Sequence, residues 1–245
     1  MRHPKRKTTV GDSTRTSSPR WVDLQREIAS CRKCREKWSK EITSPLSVGE
    51  IPDPPQKVKL LFVGVAPTPS RGKNKGNHFY SDVSDTLRVE LFKMLDTLLE
   101  NANLSHRNAS SKEDGDSAFH GLSFFFVHAA KVRPITKSSP SHSAIRFCAR
   151  RHLAHEIQAL KPSVVCFLGA IHAAPAAYEL FGDAMGEEPI DASLGGCSWR
   201  GKVLLAPQPV RAGKATAPVV LRRALRAAGY TVREDTHGIA PPLPS

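Results

Sequence analysis

The chain has 245 residues, of which 40% are hydrophobic and 24% charged, and 36 Lys and Arg against 23 Asp and Glu give a formal net charge of +13. This length suffices for one domain with a sizeable core, and the basic excess favours a polyanionic partner such as nucleic acid, although a solvated basic surface explains the same balance. No apolar run approaches the roughly 18 residues of a membrane span and no secretory signal follows Met1, so we expect a cytoplasmic protein without membrane contact.

The first 19 residues are basic, rich in Ser and Thr and almost devoid of apolar side chains. Such a segment cannot repay the entropy of ordering, so we predict a disordered basic arm, whose composition also fits a transit peptide. Apolar residues at helical spacing begin at Trp21, and we expect one folded domain over residues 20–232. Residues 233–245 are predicted to form a disordered tail.

Apolar runs and helical spacings alternate along the domain. A Pro-rich linker precedes the first run, and the polar stretch from Asn101 to Asp116 is predicted as a loop. Buried strands are predicted at residues 58–63, 122–130, 163–169 and 202–206. Helices between such strands indicate an α/β fold of three layers, α/β/α, around a central, mostly parallel four-stranded sheet.

The first predicted strand ends in a loop with the composition of a ligand site. Gly64-Val65-Ala66-Pro67 follows the apolar run, and a polar loop containing glycines then leads to Phe79-Tyr80-Ser81-Asp82-Val83-Ser84-Asp85. In open α/β sheets ligands bind beyond the carboxyl ends of the strands, where small residues let backbone N–H groups approach closely. We therefore expect Gly64 and Ala66 to border a binding site.

These motifs, in their order and spacing, resemble the uracil-DNA glycosylase superfamily, and most closely its iron–sulfur branches, families four and five. The two segments just quoted resemble the family-five motifs Gly-Leu-Ala-Pro and Phe-Thr-Gly-Asp-x-Ser-Gly. Lys131-Val132-Arg133-Pro134 resembles the family-four Lys-Cys-Arg-Pro segment. The resemblance runs from about Leu24 to about Leu225 and implies the glycosylase fold, DNA as the partner and excision of a base in DNA repair.

The resemblance implies a pocket for an extruded base. The backbone of Gly64, Val65 and Ala66 would border the base and Phe79 would stack on it, with a core aromatic as the alternative for Phe79. His128 replaces the Asn that usually recognises the pyrimidine edge. Because neutral His has one donor and one acceptor on opposite sides of its ring, the uracil code would be altered or lost. A His that caps a strand end is the alternative.

Two further positions carry catalytic roles by resemblance. Asp82 falls on the family-five acidic position, where a carboxylate would orient water or stabilise the sugar cation, and a helix N-cap is the alternative. Gln208 replaces the His that supports the departing base, and a weaker donor there would cost about tenfold to thousandfold in rate. Three hypotheses stay open. The first is a divergent DNA glycosylase, which is a hydrolase of N-glycosyl compounds. The second is a catalytically inactive protein that binds nucleic acid, and the third is the same fold with a small-molecule or protein partner.

Basic residues in the loops on the ligand side of the predicted sheet are candidates for contacts with DNA phosphates. They are Lys73, Lys75, Arg133 and Arg211. An ordinary solvated surface is the alternative for all of them.

The cysteines bear on a metal centre. The family cluster takes four thiolates, and the resemblance places three of them at Cys31, Cys34 and Cys148, with Val132 at the fourth position. Because valine cannot ligate iron, we expect no stable four-iron cluster. A labile iron–sulfur cluster, a zinc ion completed by His or water, and three reduced thiols are the alternatives. No redox or nucleotide cofactor is expected, and we expect a monomer.

Overall fold

The structure is a computed structural model that describes residues 20–47, 49–67, 79–135, 139–210 and 215–234. The predicted basic arm lies outside these residues, and so does the predicted tail apart from Arg233 and Glu234. The Arg233 N–H donates to the Leu98 carbonyl at 2.9 Å, so the described chain ends against the domain. Among the described residues, no helix combines the length and the apolar character needed to cross a membrane.

The main sheet has five strands in the order β3-β2-β5-β7-β6, and a separate antiparallel ribbon joins β1 to β4. The strands are β1 (Ile42–Pro45), β2 (Leu60–Gly64), β3 (Phe124–His128), β4 (Val132–Pro134), β5 (Val164–Leu168), β6 (Ile190–Ser193) and β7 (Arg200–Ala206). Strands β3, β2, β5 and β7 are parallel and correspond to the four predicted strands. The antiparallel edge strand β6 was not predicted, because its residues are only half-buried or exposed.

Helices connect the strands. They are α1 (Trp21–Ser30), α2 (Lys33–Lys37), α3 (Thr86–Leu98), α4 (Leu104–Ser110), α5 (Lys112–Gly121), α6 (His142–Cys148), α7 (Ala154–Leu160), α8 (Ala174–Phe181) and α9 (Ala217–Ala227). A π-helical turn, Ala149–Leu153, joins α6 to α7.

Aromatic contacts show that helices cover both faces of the sheet. On one face, Trp21 of α1 packs on Phe125 of β3 with the ring centroids 5.4 Å apart, and α8 packs its Phe181 on Phe167 of β5 at 6.1 Å. On the other face, Phe119 of α5 lies 5.9 Å from Phe62 of β2. Side chains alternate between the faces of a strand, so the three layers predicted from the sequence are present.

The stretch predicted as a loop, from Asn101 to Asp116, contains helix α4 and the start of α5. The first N–H groups of α4, from Leu104 and Ser105, donate to the carboxylate of Asp96 at 2.6 and 2.8 Å. Ser111 caps α5 by accepting the Asp114 N–H at 3.0 Å. The loop prediction is wrong because Asp96, which lies on α3, satisfies the α4 terminus from outside the segment.

Candidate active site

The register of the parallel strands aligns their carboxyl ends. Gly64 at the end of β2 lies opposite His128 at the end of β3, and Leu168 of β5 lies opposite Ala206 of β7. The next residue after β5, Gly169, donates its N–H to the Ala206 carbonyl at 2.8 Å. The segments that follow four strands therefore leave the sheet along one edge, where α/β proteins bind ligands.

Gly169 brings two of the predicted site residues together. Its φ of +109° strains any side chain, and a β-carbon built there would lie 3.7 Å from the Val65 Cγ2 atom and 3.9 Å from the Gln208 Cβ atom. Val65 follows β2 and Gln208 follows β7, and both are half-buried. The glycine thus lets the predicted base-binding loop and the predicted leaving-group residue approach each other.

Phe79 lies in a cluster of aromatic rings. Its ring stacks on Phe126 with the centroids 4.2 Å apart and the planes at 10°, and it also contacts Tyr80, Phe92 and Phe119. Only 1% of Phe79 is exposed. The structure thus places Phe79 as the core aromatic of the alternative interpretation, and its stacking partner is Phe126.

The ring of Phe126 also fills the space beside Gly64. A β-carbon on Gly64 would lie 2.5 Å from the Phe126 Cζ atom and 3.4 Å from the His128 Nδ1 atom. The rings of Phe126 and His128 meet edge to face, with their centroids 5.0 Å apart. Gly64, Phe79 and His128, three residues predicted to surround a base, therefore surround Phe126.

Asp82 lies in the segment between Phe79 and helix α3. Its Oδ1 atom accepts the Ser84 N–H at 2.8 Å and the Ser84 hydroxyl at 2.7 Å. Asp85 caps α3 by accepting the Arg88 N–H at 2.9 Å, so neither Asp82 nor Ser84 is the cap. Burial raises the pKa of the Asp85 carboxyl, and the nearby Asp82 charge adds to this rise. The N-cap alternative therefore belongs to Asp85, and the Asp82 carboxylate remains a candidate for catalysis.

Residues that the sequence did not single out fix the segment that contains Asp82. Arg88 donates to the Phe79 carbonyl at 3.1 Å, and the Asn108 side-chain amide donates to the Val83 carbonyl at 3.0 Å. The hydroxyl of Tyr80 accepts the Phe126 N–H at 2.9 Å, which ties the segment to the edge of the sheet. Held on both sides of Asp82, this backbone is preorganised.

Arg133, predicted to contact DNA phosphates, has a partner within the protein. Arg133 lies on β4 with 4% of the residue exposed, and its guanidinium forms an ion pair with Glu50. The buried guanidinium is thus engaged by a carboxylate of the protein, and its contact with a DNA phosphate stays a prediction. Lys73, Lys75 and Arg211 lie outside the described residues.

The three cysteines predicted at the metal site lie near the end of α6, where Cys148 is the last residue, and the start of β4. The thiols of Cys34 and Cys148 form a hydrogen bond, which lowers the pKa of Cys34 and raises that of Cys148, and the Cys148 Sγ atom also accepts the Lys131 N–H at 3.0 Å. Cys31 lies three residues before Cys34, in the connection between α1 and α2. Val132 is buried on β4.

These residues do not fit a four-iron cluster. Val132 supplies no ligand, and the Cys34 and Cys148 thiols contact each other directly. Within the described part of the chain, no group of three or more His, Cys, Asp or Glu side chains is arranged to hold a metal ion.

Protein purified anaerobically is expected to show little visible absorbance from sulfur-to-iron charge transfer, because only three thiols are in place where the cluster takes four. Optical spectra combined with iron and sulfide analysis test this prediction. Brown protein with stoichiometric iron and sulfide would overturn it.

A buried group of charges lies next to the cysteines. Lys131 forms an ion pair with Glu156 of α7, and the exposed fractions of the two side chains are only 1% and 0%. His152 of the π-helical turn is also buried, and its Nε2 atom has no hydrogen-bond partner among the described residues. Burial, with the charges of Lys131 and Arg151, lowers the pKa of His152 to about 3.

The lowered pKa of His152 predicts a loss of stability in acid. As the pH falls below about 6.5, the unfolded chain binds a proton that the folded protein does not take up until about pH 3. Between pH 7 and 4.5 this difference costs the folded state roughly 2 to 3 kcal/mol. Glu156 acts in the opposite sense, because burial raises its pKa.

The variant His152→Leu isolates this contribution. Since Nε2 makes no hydrogen bond to a described residue, we expect nearly unchanged stability at pH 7 and a smaller loss at pH 4.5 than in the wild type. Urea unfolding at both pH values measures the difference. If both proteins lost the same stability between pH 7 and pH 4.5, His152 would not control the destabilisation in acid.

The fold and the edge just described define a protein of the α/β/α class whose ligand site is built from the segments that follow β2, β3, β5 and β7. A family model of the uracil DNA glycosylase superfamily matches residues 52–225, which is more than half of the chain. The chain therefore belongs to the uracil DNA glycosylase superfamily, and this membership indicates a glycosylase-like function with DNA as the substrate. Comparison with curated proteins finds no match.

Proposed function

We propose that the protein is a divergent DNA glycosylase that hydrolyses the N-glycosidic bond of a deaminated or damaged base during base excision repair. The observation that carries the proposal is the meeting of Val65 and Gln208 across Gly169, on the same sheet edge as Gly64 and His128. Family membership supports DNA as the substrate, and the net charge of +13 agrees with a polyanionic partner.

In this proposal the reaction is a substitution by water at the sugar carbon. The bond between C1′ and the base nitrogen breaks, the water oxygen bonds to C1′, and the water proton ends on the base or in solvent. Asp82 orients the water and stabilises the positive charge that develops on the sugar. The Gln208 amide donates a hydrogen bond to an oxygen of the departing base, and His128 bonds to its edge.

A catalytically inactive protein that binds nucleic acid is the second candidate. The observation that favours it is the Phe126 ring, which takes the stacking position on Phe79. If the Phe126 ring never moved, it would exclude a base from the stacking position on Phe79.

An oligonucleotide panel separates these candidates. Single- and double-stranded DNA carrying uracil, hypoxanthine or xanthine is incubated with the protein, treated with alkali to break abasic sites, and analysed on gels. A cleaved strand for at least one lesion supports the glycosylase. Intact strands throughout, combined with salt-sensitive DNA binding, would leave only the binding protein.

Asp82→Asn is expected to slow excision of the base by about a hundredfold or more, because the amide keeps an oxygen for Ser84 but loses the negative charge. Single-turnover rates on the best lesion measure this effect. Asp183→Asn, which changes an exposed carboxylate on the chain beyond α8, is the matched control and should cut at the wild-type rate. An Asp82→Asn protein as fast as this control would remove Asp82 from the mechanism.

A further inference from the structure

We propose that Phe126 determines whether, and which, bases enter the site, because its ring fills the slot between Phe79, Gly64 and His128. This inference rests on the proposed function, since it names the residue that controls substrate entry to the same site. Nothing in the family resemblance assigned a role to this residue.

The first observation is the geometry of the ring. Phe126 is parallel to Phe79 within 10° at a centroid distance of 4.2 Å, which is the arrangement of two stacked planar groups. Its Cζ atom lies where a side chain of residue 64 would begin. A phenyl ring thus has the stacking partner and the neighbouring backbone that the family resemblance gives to a nucleobase.

The second observation concerns the way in which the ring is held. Phe126 belongs to the same face of β3 as His128, and its ring packs against the imidazole at 5.0 Å with the planes at 85°. The N–H of Phe126 donates to Tyr80, so the backbone is fixed at this position. With the backbone tethered in this way, a rotation of the side chain is the direct way to clear the slot.

It follows that an extruded base cannot stack on Phe79 beside Gly64 while Phe126 keeps this rotamer. A smaller apolar side chain at position 126 would leave a flat cavity with Phe79 on one side and the His128 ring on its border. Buried apolar cavities accept planar ligands of matching size.

The experiment compares Phe126→Ala and Phe126→Leu with the wild type and with Phe124→Ala. Phe124 is a matched control because it lies two residues earlier on the same face of β3 and is equally buried, but its ring contacts are Phe62, Phe119 and Tyr230. Free uracil and benzene are the probes, and binding is followed by NMR titration of each folded protein. Excision of the lesion panel is measured in parallel.

We expect the Phe126 variants to bind uracil at least about tenfold more tightly than the wild type and Phe124→Ala, whether or not any variant excises a base. Binding of benzene without uracil would show a merely apolar cavity and would overturn the proposal. Uracil binding that is equal in all proteins, or absent from both folded Phe126 variants, would do the same. If the Phe126 variants bind uracil and no protein excises any lesion, the slot is established and the proposed glycosylase activity is refuted.

Discussion

Replacing Arg88 by methionine is expected to lower the free energy of unfolding by about 3 to 5 kcal/mol. The Arg88 side chain is fully buried, and its guanidinium donates to Asp116 and to the Asn108 side chain at 2.5 Å each. It also donates to the carbonyls of Phe79 and Lys112 at 3.1 and 3.4 Å. The variant leaves these acceptors in the interior without their donor, although Asp116 keeps an ion pair with Lys112.

Arg226→Met is the matched control, because Arg226 also lies on a helix and forms an ion pair, with Glu234, but both side chains are exposed. Such a pair contributes at most about 1 kcal/mol. Urea unfolding of both variants, with near-ultraviolet circular dichroism to follow the aromatic cluster, measures the contrast. An Arg88→Met protein as stable as Arg226→Met would contradict the role of the network in holding the Asp82 segment.

Breaking the buried ion pair of Lys131 and Glu156 should have an effect of similar size. Lys131→Met leaves the Glu156 carboxylate in the interior without a counter-charge, and we expect a loss of about 3 to 5 kcal/mol. The double variant Lys131→Met/Glu156→Leu removes both charges and keeps the volume similar. Since burying two charges costs nearly as much as their attraction returns, it should be about as stable as the wild type or more stable.

Chemical denaturation of the single and double variants tests whether the second substitution restores the stability that the first one removes. Lys202→Met, which breaks the exposed pair with Asp191, supplies the control and should change stability by less than about 1 kcal/mol. If the double variant were less stable than Lys131→Met, the buried pair would be a net source of stability and the expectation would fail.

The parallel strands were predictable because each is a run of apolar residues buried on both faces of the sheet. The strand β6 was missed for the opposite reason, since its residues are exposed or half-buried. Helix α4 was missed because Asp96, eight residues before Leu104, provides the capping carboxylate. Local composition does not show a cap that arrives from another helix.

The candidate site was predictable to a similar extent. Gly64 and His128 follow from the ends of their strands, which the register places opposite each other. The buried Arg133 could not be recognised as such, because its partner Glu50 lies 83 residues away in the chain. Phe126 resembles any other residue of an apolar strand, and only packing against Phe79 and Gly64 distinguishes it. For the buried network around Arg88, the one local signal was the presence of an arginine on the apolar side of α3.

Identification of the released product by mass spectrometry tests the central claim of base excision most directly. Purified protein is incubated with lesion-containing DNA, and the small-molecule fraction is analysed for free base while the strand is analysed for the mass of an abasic site. We predict both products in equal amounts for at least one deaminated base, and their loss in Asp82→Asn. DNA that is bound but keeps its full mass for every lesion would contradict the assignment of this site to glycosidic bond hydrolysis.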